Sequence, residues 1–367
     1  WNCVVKFVPL WVAPNLLTFS GLVLVAMVAA IILTLSPDLK SPLPGSLVII
    51  FALTLFVYQT LDAIDGKQAR RTKSSSPLGQ LFDHGCDALI LLFCLVVTAA
   101  ALELGSSWKT LLIFFNSETC FFMAQWEEYH TGTLNWSNGW FGVTESQFVQ
   151  IFGFLLTGLF SPKVWDVPLH KIIPTHFVEK SECDLMTFLI VCITCITASM
   201  FFSSIHRVAS IESNSMPEAE IGDKVVGWKK GFIQVLPFAW HLVVSYLLTV
   251  GEGKKVFEEH TALQLLGTGI ASTHIISHMI INHMAKRHVL LEDFTTPGLI
   301  AFTIAAVNLH CGILGLAGMN LFSPLQGMLL ATVASWISYL RFIFYVVLDI
   351  SEFLNIPCFR LPSIKVN

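Results

Sequence analysis

Apolar residues fill this chain in runs far longer than the core of a soluble domain needs, and short polar stretches separate them. A helix of roughly 20 apolar residues is long enough to cross a bilayer. The pattern predicts ten such spans, near residues 18–36, 47–65, 79–102, 108–130, 143–160, 184–204, 230–250, 261–283, 296–321 and 325–349. Ahead of the first span, residues 1–13 mix aromatic and aliphatic side chains with Lys6 and stop before Pro14. That make-up suits an amphipathic helix lying in the membrane interface. The expected fold is therefore an all-α polytopic membrane protein, with about ten transmembrane helices behind an N-terminal interfacial amphipathic helix. The chain opens on Trp1 rather than Met, so further sequence is expected before it, and no cleavable leader is legible.

Composition supports the same class. Only 13% of the 367 residues are charged and 54% are hydrophobic, whereas a soluble domain carries about 25% charged residues. The net charge of -4 averages over two aqueous faces and carries little information. No nucleic-acid partner is expected. The basic residues are more useful, because they favour the cytosolic side of a membrane. Lys67, Arg70, Arg71 and Lys73 follow the second span, and Arg207, Lys224, Lys229 and Lys230 follow the sixth. With an even number of spans, both groups and both termini share one side, which is expected to be cytosolic. The glycosylation sequon Asn135-Trp136-Ser137 falls on that side and is expected to be unmodified. Residues 212–223 are the best candidate boundary. They divide a six-span part, 1–210, from a four-span part, 211–367. The nine cysteines lie mostly within apolar runs. Cys192 and Cys195 form a CxxC inside a span, where small core residues are a better reading than a four-ligand zinc site.

Candidate chemistry is concentrated in LDAIDGKQARRTKSSSPLGQLFDHGCD, where the second span leads into the third. Residues three, four and seven apart share a helix face. Asp62, Asp65, Gly66 and Ala69 meet this rule on one helix, and Gly79, Asp83 and Asp87 meet it on the next. The stretch between them, with Thr72, three serines and Pro77, is long enough to turn the acidic faces toward each other. Carboxylates so opposed repel unless cations lie between them, and intramembrane acids usually carry function. Hard oxygen ligands select Mg²⁺ or Mn²⁺. Two such ions about 4 Å apart form a clamp used in many phosphoryl displacements. Gly66, Ala69 and Gly79 leave room for a flat base or a diphosphate, and Arg70 offers a fixed positive fork for phosphate. Acidic spans also occur in cation transporters, and a non-catalytic scaffold is a third reading. The complete spacing D-x2-D-G-x2-A-R-x8-G-x3-D-x3-D favours the enzyme.

That spacing, with the neighbouring WVAPNLLTFSG and the ten-span layout, resembles the CDP-alcohol phosphotransferase family, and within it the eukaryotic choline/ethanolamine branch. The resemblance is strongest over residues 11–90. It implies transfer of phosphocholine or phosphoethanolamine from CDP-choline or CDP-ethanolamine to diacylglycerol, with release of CMP. It implies that Asp62, Asp65, Asp83 and Asp87 hold two divalent ions, and that Gly66, Ala69, Arg70 and Gly79 shape the CDP pocket. Asn15 becomes a candidate polar contact to the nucleotide. His84 is the first choice for the base that takes the acceptor proton, with Glu145 orienting it and Asp87 as the rival base. A homodimer in the endoplasmic reticulum or Golgi is likewise implied.

Three further groups have more than one reading. Trp126, Glu128 and Tyr129 suit a cage for a cationic head group, and equally an interfacial aromatic belt. Arg207 could hold a phosphate or only anchor its helix. Glu145 would also be favoured as an acid at a helix start. His274, His278 and His283 have a partial metal spacing, but lining a cavity or helix interface is the better reading.

Overall fold

The computed structural model describes residues 1–133, 142–172, 183–213, 228–287, 289–310 and 321–361. Ten long helices stand close to the expected spans: α1 (Pro14–Leu35), α2 (Gly45–Thr72), α3 (Pro77–Ala101), α4 (Trp108–Thr131), α5 (Val143–Phe160), α6 (Leu185–Ser213), α7 (Trp228–Leu247), α9 (Thr261–Met284), α10 (Pro297–Leu309) and α11 (Pro324–Leu354). A short α8 (Gly253–Glu259) precedes α9. By length and composition α1, α2, α3, α6 and α11 can cross a membrane outright, and shorter apolar helices lie within α7 and α10. The sequon and residues 214–223 of the expected boundary lie outside the described residues.

Local chemistry sets the helix ends. Pro14, Pro77, Pro297 and Pro324 stand at the first helical position, where a missing N–H costs nothing. Ser76, Ser107, Thr296 and Ser323 each accept a backbone N–H three residues on, which satisfies a donor the helix start leaves unpaired. The expected second span stops at residue 65, yet α2 continues to Thr72 and ends on Lys73 in the left-handed region (φ 55°). Hydropathy stops where polar residues begin, but Lys, Gln, Ala and Arg are good helix formers. Where an interfacial helix is expected over residues 1–13, the structure has a single 3-10 turn, Val4–Phe7. Pro9 and Pro14 interrupt any longer helix there. The segment is held instead by α2: Gln68 Nε2 donates to Pro9 O (2.9 Å) and Val12 O (3.1 Å), and Arg71 Nη1 donates to Val8 O (3.0 Å).

α1 packs on α2 and α3, α2 on α5, and α4 on α6. α9 is the central element, contacting α3, α4, α7, α10 and α11, and most of its length is buried. Close approach depends on small residues, as is usual where helices associate in lipid. A Cβ on Gly45 of α2 would stand 2.2 Å from the Gly158 carbonyl oxygen of α5. The main apolar cluster runs without a break from Val25 and Phe51 through Val96 and Phe114 to Ile270 and Tyr339. It therefore joins helices from both sides of residue 210.

Candidate active site

The acidic residues gather where the polar end of α2 meets the start of α3. Asp62, Asp83 and Asp87 each bring one carboxylate oxygen within 4.8 Å of the others. Asp62 Oδ1 and Asp83 Oδ1 are buried with no hydrogen-bond partner. Buried polar oxygens are nearly always satisfied, and three carboxylates this close repel strongly in a low-dielectric setting. A divalent cation would answer both problems, and the all-oxygen donor set suits Mg²⁺ or Mn²⁺. The fit is thus good on this chain's own geometry.

Two supporting side chains were not singled out by spacing. Tyr58, fully buried on α2, donates its hydroxyl to Asp87 Oδ1 at 2.7 Å. Thr18 on α1 donates its hydroxyl to Asp65 Oδ2. Such contacts orient ligating carboxylates. Tyr58 stands four residues before Asp62 on the same face, so a helix-face reading reaches it. Thr18 belongs to another helix and needs the fold.

Asn15, Asp65, Gly66, Ala69, Gly79 and Asp83 line one cleft of about 700 Å³, counted with its open mouth. Ser74, Ser75 and Ser76 from the α2–α3 connection complete one side, and residues 356–361 close another. The Asn15 carboxamide oxygen lies 3.5 Å from where a Cβ on Gly79 would be, which is ordinary contact. Arg70 is not in the lining, although its Nη1 lies 3.7 Å from a Cβ position on Gly66.

Other expected residues lie outside the cleft lining. His84 sits between Asp83 and Asp87 on α3, half-buried, close enough to His283 for their charges to interact. His283 Nε2 is in turn 3.8 Å from Glu128 Oε1. Glu145 is exposed in the first turn of α5 and accepts the Gly142 N–H at 2.9 Å. Trp126 donates to Gly231 O (3.1 Å), and Tyr129 donates to Arg287 O (3.0 Å) while accepting Val289 N–H (3.0 Å). Both rings are buried and serve helix packing. Arg207 is engaged by the buried Glu127: its Nε and Nη2 lie 2.5 and 2.6 Å from the two carboxylate oxygens. His274 stacks on His278 (5.2 Å between centroids) and both face Phe342, so the stripe packs α9 on α11. Cys192 and Cys195 are free thiols.

Residues 11–178 match the CDP-alcohol phosphatidyltransferase family. Cholinephosphotransferase 1 of Xenopus laevis is 34% identical over 372 residues, covering 99% of this chain and 84% of that protein. The chain belongs to this family. Choline/ethanolaminephosphotransferase 2 of Arabidopsis thaliana is 31% identical, over 98% of this chain and 90% of that protein. An uncharacterized class-I CDP-alcohol phosphatidyltransferase family protein 3 of Dictyostelium discoideum is 28% identical, over 99% and 91%. The CDP-alcohol phosphatidyltransferase match spans α1 to α5 and contains the whole aspartate signature, while the relatives extend through α11. The chain is an integral membrane transferase, and a transporter reading is not favoured.

Proposed function

We propose that this protein transfers phosphocholine or phosphoethanolamine from the matching CDP-alcohol to diacylglycerol. The products are CMP and phosphatidylcholine or phosphatidylethanolamine. The observation that carries the reading is the trio Asp62, Asp83 and Asp87, with oxygens within 4.8 Å and two of them orphaned, beside an open cleft. Asp62, Asp65, Asp83 and Asp87 would hold two Mg²⁺ or Mn²⁺ ions. When bound, these neutralise the diphosphate and stabilise departing CMP.

The chain's own residues supply the rest. Tyr58 and Thr18 fix two of the carboxylates in place. Gly66, Ala69 and Gly79 let the nucleotide approach the backbone, and Asn15 offers it a polar contact. The acceptor hydroxyl oxygen bonds to the phosphorus bearing the head group as the bond from that phosphorus to CMP breaks. Its proton passes to a base. His84 has that role in the proposal, because it stands between two of the aspartates and an imidazole suits neutral pH. Asp87 is the alternative acceptor, although Tyr58 already occupies one of its oxygens. Glu145 steadies His84 in this proposal. A second arrangement is favoured by one observation, the approach of His283 to both His84 and Glu128. It assigns the steadying role to Glu128.

The cleft opens where a charged cytosolic donor and a lipid acceptor can both reach it, at the polar ends of membrane helices. Residence in the endoplasmic reticulum or Golgi, a cytosolic active site and a homodimer complete the proposal. Residues 1–210 form its catalytic core, and 211–367 serve dimerisation or lipid access. Purified protein with Mg²⁺, labelled CDP-choline or CDP-ethanolamine, and diacylglycerol tests it. CMP release coupled to labelled phospholipid supports the reading. Absence of product with both donors overturns it.

A further inference from the structure

α11 lies far along the chain from the aspartate signature, yet its end returns to it. Asn355 adopts the left-handed conformation (φ 52°) and the Ile356 N–H donates to Ser351 O at 3.0 Å. This closes the helix and turns the chain sharply. The following segment is fastened at two points to the helices that build the cleft. Asn15 Nδ2 donates to Cys358 O at 3.0 Å. The Phe359 ring packs between Phe19 of α1 and Phe82 of α3, with both centroid distances 5.4 Å.

Fastened there, the segment brings Arg360 into the cleft lining, together with Asp65 and Asp83. Among the described lining residues Arg360 is the one basic side chain. Four carboxylates balance the charge of two divalent ions, so a bound diphosphate adds negative charge that a further cationic group offsets. A guanidinium is the side chain best shaped to bind phosphate oxygens in pairs. We infer that residues 356–361 form a wall of the donor site and that Arg360 binds the anionic diphosphate of the CDP-alcohol there. This rests on the reading of the cleft as the CDP-alcohol pocket. It also makes the segment after the last helix, beyond residues 11–178, part of donor recognition.

The test is steady-state kinetics on the full chain with Arg360→Ala, Arg360→Lys and Phe359→Ala. Loss of a hydrogen-bonded charge predicts a donor KM raised about tenfold or more in Arg360→Ala. Its kcat stays within about twofold, because the reacting phosphorus is still placed by the aspartates. The KM for diacylglycerol does not change. Arg360→Lys recovers part of the loss, and Phe359→Ala, which loosens the strap, shifts donor KM in the same direction. A donor KM in Arg360→Ala equal to wild type overturns the inference. A second readout needs no turnover: the rise in melting temperature on adding CDP with Mg²⁺, expected to be smaller in Arg360→Ala. Equal rises, or none in the wild type, also overturn it. If the wild type binds CDP through Arg360 yet transfers no head group to diacylglycerol, the proposed function fails while this assignment stands.

Discussion

Asp62, Asp83 and Asp87 are held closer together than three carboxylates prefer, with two oxygens unpartnered. The crowding itself is testable. Without divalent ions, Asp83→Asn removes a repelling charge and should raise the melting temperature above wild type by a few degrees, the rough effect of ~1 kcal/mol in a chain of this size. With Mg²⁺ the order should invert, since wild type gains a ligand and the variant loses part of its site. Transfer should fall at least about a hundredfold, the scale of losing one preorganised electrostatic contact. Scanning fluorimetry with and without Mg²⁺ reads the inversion, and a variant below wild type in both states would argue against the ion pair of the proposal. Tyr58→Phe is milder. It keeps the ring and removes the 2.7 Å hydrogen bond to Asp87, so the Mg²⁺ concentration for half-maximal rate should rise about tenfold or more. The aspartates were legible because charge in an apolar run is conspicuous. Tyr58 shares their helix face but passes for packing, as a tyrosine in a span ordinarily does. Arg207 reads in the sequence as either a phosphate ligand or a helix anchor, and its pairing with Glu127 favours the anchor.

At the scale of elements, hydropathy located the helices well and their polar ends poorly. The α2 helix outruns its apolar stretch by a full seven residues past Asp65, and that extension carries the chemistry. The 1–13 segment went the other way, because prolines override an amphipathic pattern. Helix starts depend on single side chains, and Asp184 is a clear case. It accepts the Thr187 N–H at 2.6 Å at the head of α6 and receives Lys109 Nζ at 2.8 Å. Partial burial pushes its carboxyl up, but the bonds from Lys109 and Thr187 outweigh that and hold it below the ordinary carboxylate value. A depressed acid stabilises the fold above the ordinary value, and that stabilisation is lost as pH falls through the depressed one. Asp184→Ala should therefore lower stability near neutral pH by about 1 kcal/mol, mostly from the lost cap. The gap between variant and wild type should narrow as pH falls below the ordinary carboxylate value. Thermal melts from pH 7 downward check this, and a gap that widens toward acid would contradict the assignment. kcat should be unchanged, because Asp184 is remote in sequence and contact from the aspartates.

Across the whole molecule, the question is whether the segment that carries the signature can stand alone. The family match ends at residue 178, and residues 1–210 hold every aspartate of the signature. The packing argues against independence. α9 fills the space against α3 and α4, and no pattern in the sequence announces this, since apolar helices look alike whichever neighbours they meet. Glu118 on α4 is buried and paired across to His241 on α7, Nε2 to Oε2 at 3.3 Å. A fragment ending at residue 210 leaves Glu118 without that partner, and stranding a buried hydrogen-bonding group costs on the order of 1–3 kcal/mol. It also bares the faces of Leu92, Phe114 and Phe122 that α7 and α9 cover, and it removes Arg360 from the cleft. The expected outcome is that residues 1–210, expressed alone in a membrane host, aggregate on extraction and show no transfer. Co-expression with residues 211–367 should restore a complex, since the apolar faces on the two pieces are complementary. Size-exclusion profiles in detergent and the CMP-release assay decide it. A monodisperse, active fragment would mean that the signature helices are self-sufficient and that the five later helices serve something other than the reaction.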